Sequence, residues 1–365
     1  MNEYCALRFP MLGLFLIAGV SAGTDEQRPA ISVVGAVHDR RQLAGAHDIE
    51  LKGDHAFVAG KWGTFAVVDV SRPSRPRVLG SITEDIGDGE TVLPLGDVCL
   101  VGADALLAVD VTEPTRPTVM KRIAHPTIHR INGMACWNGF VLASSKGGHV
   151  NVFDIARPKE PRFVGSLDTR RHGRVLAPHD IAVFGDRMIV VDQRRGSQVK
   201  LRIYRIGERA QGRLWPTDRW VTEGAVTDKR LDGANRVVIR YPHAVVASNH
   251  ADTLAVVSLE DPCRPAVVAV MPTADHSPCG LTVHGDTVFV ACERTVEAIS
   301  IANPCQPRFL CHLTAPAVFA GGDPQATNPR RKRGGGHDLV FRDGLLYVTA
   351  QGSDGVGVFR FYGKR

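Results

Sequence analysis

Beyond one early stretch, the 365-residue chain lacks any apolar run approaching the ~18 residues a spanning helix needs, so nothing else in it reads as membrane-spanning. It also lacks a Gly-x-Ser-x-Gly elbow, a glycine loop ending in Lys and Ser or Thr, and a His-Glu-x-x-His helix, so no hydrolase or phosphate-loop signature is present. No cysteines stand at Cys-x-x-Cys spacing, which argues against a structural zinc site. Aromatic residues make up 6% of the chain and do not alternate with basic ones, which leaves no stacking platform for nucleic acid. The net charge of +6 favours anionic partners weakly and falls short of a dense basic stripe.

The early stretch is "MLGLFLIAGV" at 11–20, preceded by Arg8 and closed by "VSA", with small residues at Val20 and Ala22. This is the pattern of a cleaved leader. Residues 1–22 are therefore expected to be a signal peptide, and 23–365 a single exported domain, periplasmic or extracellular, with no transmembrane anchor after cleavage. Cleavage leaves seven of the eight cysteines, an odd number in an oxidising compartment, so at least one thiol is free or pairs with another chain.

What the chain does have is a repeat. "VVDVSRPSRPRVLG" (67–80) returns as "AVDVTEPTRPTVMK" (108–121), "VFDIARPKEPRFVG" (152–165), "VVSLEDPCRPAVVA" (256–269) and "AISIANPCQPRFLC" (298–311). The first prolines, Pro73, Pro114, Pro158, Pro262 and Pro304, stand 41, 44, 104 and 42 residues apart, and the long interval leaves room for a degenerate copy at "LRIYRIGERAQGRLWP" (201–216). Upstream of each copy lies a hairpin of apolar runs around a tight turn, as in "HDIELKGDHAFVAG" and "CGLTVHGDTVFVAC". Each unit supplies four antiparallel strands at the period of a propeller blade.

The last unit ends after three strands, while "RPAISVVGAV" (28–37) matches the missing fourth strand "RPRVLGSI" (75–82). The expected fold is all-β, a seven-bladed β-propeller closed by the N-terminal strand completing the last blade, which removes an open sheet edge. The strand cores "FAVVDVS", "LLAVDVT" and "VNVFDIA" with their trailing Pro-x-x-Pro resemble the LVIVD repeat of exported bacterial and archaeal β-propellers. That resemblance covers nearly the whole chain after the leader and implies architecture rather than activity.

In such a ring the connectors between blades share one face with the loops between second and third strands. These are the long, variable segments: 169–178, 192–200, 223–235 and 314–336. Arg171, Arg174, Arg194 and Arg195, with Arg170, Arg330, Arg331, Lys332 and Arg333, make this face basic, which suits a protein, glycan or small anionic ligand.

Three inner strands open with a His-Asp pair. The equivalent positions around the ring are His47, Glu90, a position near Asn132, His179, Asn235, Cys279 and His337, and they converge on the mouth of the central channel. His47, Glu90, His179 and His337 form a donor set suited to one divalent transition metal. The same His-Asp pairs also suit structural hydrogen bonds between blades.

Cys279 and Cys292 lie equally far from the Gly285-Asp286 turn, so a cross-strand disulfide is expected, with a thiolate in the site as the alternative. Cys99 and Cys136 sit in apolar strands and are expected to be buried. Two functions follow. One is a binding module that uses the basic, loop-rich face; the other is a metal-dependent enzyme or metal-binding protein acting on a small anion at the channel mouth.

Overall fold

The computed structural model describes residues 28–206, 220–319 and 335–363. The leader at 1–22 and the cluster Arg330, Arg331, Lys332 and Arg333 lie outside the described residues, as does most of the degenerate copy beyond Ile206.

Six repeats each form one four-stranded antiparallel sheet with its strands in sequence order, and the seventh sheet takes its fourth strand from the other end of the chain. In blade 1 the strands are Ala46–Lys52, His55–Gly60, Thr64–Asp69 and Arg77–Ile82. The second and third strands, such as "HAFVAG" and "TFAVVD", are almost wholly buried, whereas the fourth is half exposed. Neighbouring sheets cover both faces of the middle strands, so those strands need unbroken aliphatic sequence rather than alternation. One core cluster accordingly joins Ile49 and Val58 of blade 1 to Tyr347 and Val358 of blade 7, and another joins Leu100 of blade 2 to Val141 of blade 3.

The first strands of the seven sheets, Ala46–Lys52, Thr91–Leu95, Ile131–Trp137, Pro178–Phe184, Ala234–Arg240, Gly280–His284 and Gly336–Arg342, pack against one another around the axis. Hairpin turns at Gly53, Gly185 and Gly285 take positive φ of 55°, 56° and 56°, which glycine tolerates. Blade 5 departs from this plan and turns through a cis Tyr241–Pro242 bond.

The Pro-x-x-Pro loops have a packing role. A Cβ on Gly80 would stand 2.5 Å from the Thr115 carbonyl, in the Pro-x-x-Pro loop of the next blade, and one on Gly35 would stand 2.6 Å from the Pro73 carbonyl. Each loop tucks under the outer strand of the preceding blade. At Gly35 that outer strand is Ala30–His38, which pairs antiparallel with Gly355–Tyr362 from Ala30 opposite Tyr362 to His38 opposite Gly355. The chain's first described strand thus completes its last sheet.

One expected loop is shorter than its sequence suggests. Within 223–235 the strand Val221–Val226 runs on, the 3-10 turn Lys229–Leu231 follows, and the next inner strand begins at Ala234.

Candidate functional site

At the channel mouth several of the inner-strand starts are joined by blade-to-blade bonds. A carbonyl oxygen only accepts, so each histidine must donate through Nδ1: His47 to the Glu90 carbonyl at 2.8 Å, His179 to the Asn235 carbonyl at 2.7 Å, and His337 to the His47 carbonyl at 3.0 Å. In every case the acceptor is the equivalent residue of the following blade. Burial holds His47 and His179 well below the usual imidazole range, helped by neighbouring charges from His337 and Lys61 on His47 and from Lys146 and Arg236 on His179.

The aspartates of the pairs do related work one residue deeper. Asp48 accepts from the Val92 N–H at 2.7 Å and Asp180 from the Val237 N–H at 2.9 Å, again across a blade boundary. Where blades 3 and 6 carry Gly133 and Gly280 at this position, a Cβ would stand 2.5 Å from Asp180 Oδ1 and 2.6 Å from Asp338 Cα. Blade 5 carries Arg236 there. Its buried guanidinium reaches Asp48 at 2.9 Å, Asp338 at 3.3 Å and Asp180 at 4.0 Å, bridging acids of three other blades across the axis. Burial works against its charge, but the three aspartates raise its pKa. Burial pushes Asp338 well above the carboxylate range despite Arg236, and Asp48 adds to the rise.

Glu90 is fully buried and heavily engaged. Lys61 Nζ donates to its two oxygens at 2.8 and 2.9 Å, Asn132 Nδ2 donates at 2.9 Å, and His47 Nε2 lies 3.2 Å away. The His47 and His337 rings lie against each other with centroids 3.6 Å apart.

Of the four residues expected to share a metal, three therefore meet, and His179 lines the same cavity without a described contact to them. Among the described residues, no group of three or more His, Cys, Asp or Glu side chains has the geometry to hold a metal ion. The reason is local: a lysine ammonium already occupies Glu90. As they stand, these residues do not fit a metal shell.

Above the ring opens a cavity of about 350 Å³. Its lining follows the repeat. Besides His47, His179 and His337 it uses Lys61, Lys146, Gln193, Asn249 and Gln351, each the first residue after a blade's second strand, together with Ser277, Cys279 and Glu293. Lys61 and Arg236 escaped sequence reasoning, whereas the position near Asn132 was placed in the ring. Arg236 was the more readable of the two, because Asn235-Arg236 stands in register with His47-Asp48.

The four arginines expected at the partner surface are exposed on the same face. Arg171 lies 3.5 Å from Asp168, and Arg174 Nη1 donates to Gln198 at 3.4 Å. The side chains of Arg194 and Arg195 make no ion pair among the described residues, and Arg194 directly follows the cavity residue Gln193.

The expected disulfide does not form. Register places Cys279 opposite Cys292, beyond the Gly280 and Ala291 pair, yet both thiols are free. Cys279 turns into the channel, 3.5 Å from Ser277 Oγ, while Cys292 turns into the core, 3.4 Å from Glu297 Oε1. Burial raises both thiol pKa values. Cys99 is buried as expected, but Cys136 is exposed because its strand ends at the surface-facing Trp137–Phe140 turn.

Seven four-stranded sheets around a plugged axis define a seven-bladed β-propeller. The description "LVIVD repeat" belongs to the family model that matches residues 45–84, and the chain is an LVIVD-repeat β-propeller. No curated protein matches it. Among solved structures it is similar to the WD40 β-propeller domain of Doa1, with 12% identity and a TM-score of 0.66 over 92% of this chain and 98% of that one. It is also similar to Raptor from Chaetomium thermophilum, with 11% identity and a TM-score of 0.69 over 93% of this chain but 30% of that one. The designed protein Ika8 gives 11% identity and a TM-score of 0.59 over 88% and 98% of the two chains. These likenesses concern the fold alone.

Proposed function

We propose that this propeller is a binding module that receives its partner on the face where the channel mouth opens. The observation that carries this reading is the joining of a cavity of about 350 Å³ to a rim of exposed arginines on one face, through adjacent residues Gln193, Arg194 and Arg195. The side chains that looked suited to a metal are committed to holding blades together, which favours recognition over catalysis. The rim attracts anionic groups on the partner, an interaction that salt screens. The leader pattern supports encounter outside the cytoplasm.

A photo-crosslinking residue at Arg194 is expected to capture a partner in the producing cell, and one at Arg116, on the Pro-x-x-Pro face, is not. Charge reversal of Arg171, Arg174 and Arg195 to Glu should abolish the adduct at position 194. Adducts confined to position 116, or indifferent to charge reversal, overturn the reading.

A further inference from the structure

A loop from the next blade fills the space beneath the outer strands of blades 7, 1 and 4. There a Cβ on Gly35, Gly80 or Gly224 would stand 2.6, 2.5 and 2.4 Å from a carbonyl oxygen of that loop. Blade 7 has no such loop to offer blade 6, because its third strand, Gly355–Tyr362, and its fourth, Ala30–His38, come from opposite ends of the chain. At the boundary between blades 6 and 7 a groove of about 410 Å³ opens.

Two departures from the repeat set its chemistry. In blades 1 and 3 the arginine that begins the fourth strand is neutralised by the aspartate opposite it at the end of the third: Arg77 by Asp69 at 3.0 Å and Arg162 by Asp154 at 2.9 Å. In blade 6 the register sets Ser300 opposite Arg308, and Arg308 makes no ion pair among the described residues. The second departure is apolar. Phe309 is among the few large apolar side chains left exposed, at 43%, and with Phe361 and Pro29 it gives the groove an apolar wall beside Arg308 and the hydroxyls of Thr287 and Ser300.

An uncompensated cation beside aromatic rings suits a molecule with an anionic head and an apolar body. The guanidinium presents parallel N–H groups that match a carboxylate, and the two hydroxyls supply donors for its remaining lone pairs. One cation balances one negative charge, which favours a carboxylate over a doubly charged phosphate monoester. The volume falls within the range of about 300–1,000 Å³ that small-molecule pockets span.

We propose that the groove between blades 6 and 7 binds a small amphiphilic carboxylate, its head on Arg308 and its body against Phe309 and Phe361. The site lies on the side where the Pro-x-x-Pro loops turn, away from the channel mouth, so it stands or falls separately from the binding-module reading.

The test is calorimetric titration of the full chain with octanoate and 3-phenylpropionate, with octanol and 3-phenylpropanol as uncharged counterparts and octyl phosphate as the doubly charged one. Each acid is expected to bind saturably and about threefold to fivefold more tightly than its alcohol, the range an exposed ion pair supports. Arg308→Gln should remove that preference and leave the alcohols unaffected. Phe309→Ala should weaken acid and alcohol alike by about fivefold or more. Neither side chain belongs to a core cluster and both are exposed, so the variants keep the fold. Equal affinity for acid and alcohol, a preference that survives Arg308→Gln, tighter binding of octyl phosphate, or no saturable binding of either acid overturns the proposal. Binding seen only after residues 23–27 are removed also overturns it, since the groove would then belong to the segment that precedes Arg28 and Pro29.

Discussion

A histidine tied through Nδ1 to a carbonyl keeps one nitrogen for anything else, and a carboxylate inside the ring keeps only the charge its neighbours allow. Glu50 shows the cost of that second condition. Burial, with the charge of Asp48 adding to it, raises its pKa from 4.5 to about 7. A group whose pKa is raised on folding favours the fold at low pH and loses that contribution as pH climbs from the unfolded to the folded value. The window here runs from about pH 4.5 to about 7, and at about 1.4 kcal/mol per pH unit the cost of ionising Glu50 reaches roughly 3 kcal/mol above it. Glu50→Gln is therefore expected to stabilise the protein by up to roughly 3 kcal/mol at pH 8 and to make little difference at pH 5. Urea unfolding at the two pH values checks this, and equal effects at both would refute it. The ring histidines were legible in the sequence because the copies align; their partners were not, since a carbonyl acceptor leaves no trace in residue identity.

Among elements, the inner strands decide how closely blades approach. Gly133 stands where the ring has no room: the methyl group of an alanine there would lie 2.5 Å from Oδ1 and 2.9 Å from Cα of the following blade's Asp180. Gly133→Ala is expected to cost about 1–3 kcal/mol, because backbone on the neighbouring strand cannot swing aside as a flexible side chain does. Thermal unfolding of the variant measures it, and an unchanged midpoint would mean that the blades have slack. The strands themselves, and the hairpin turns at Gly53 and Gly285, could be read from aliphatic runs and turn residues. The Pro-x-x-Pro loop could be read as a motif but not as a wedge, since its contact is with the blade before it.

Across the whole molecule, burial supplies the bulk of the stability and polar bonds supply alignment. A fully buried Val or Leu contributes about 1.5–3 kcal/mol, whereas a hydrogen bond adds about 0.5–1.5 kcal/mol. Interblade aliphatic clusters therefore hold the ring, and the bonds around Arg236 set its register. Deleting residues through His38 removes the strand paired with Gly355–Tyr362, uncovers the last sheet's edge and takes Ile31 from the core. The truncated chain is expected to lose cooperative unfolding and to self-associate, as seen by size-exclusion chromatography. A monomeric variant with an unaltered transition would show that closure is dispensable.

The sequence by itself determined the number of blades, the strand order within each and the convergence of His47, His179 and His337, because all three follow from a local pattern repeated along one chain. Only the tertiary structure decided that Lys61 neutralises Glu90, that Arg236 plugs the axis and that Cys279 and Cys292 turn to opposite sides. Those outcomes depend on which side chains the ring brings within a few ångströms across blades, and distance in space between remote segments is not encoded in any short stretch of residues.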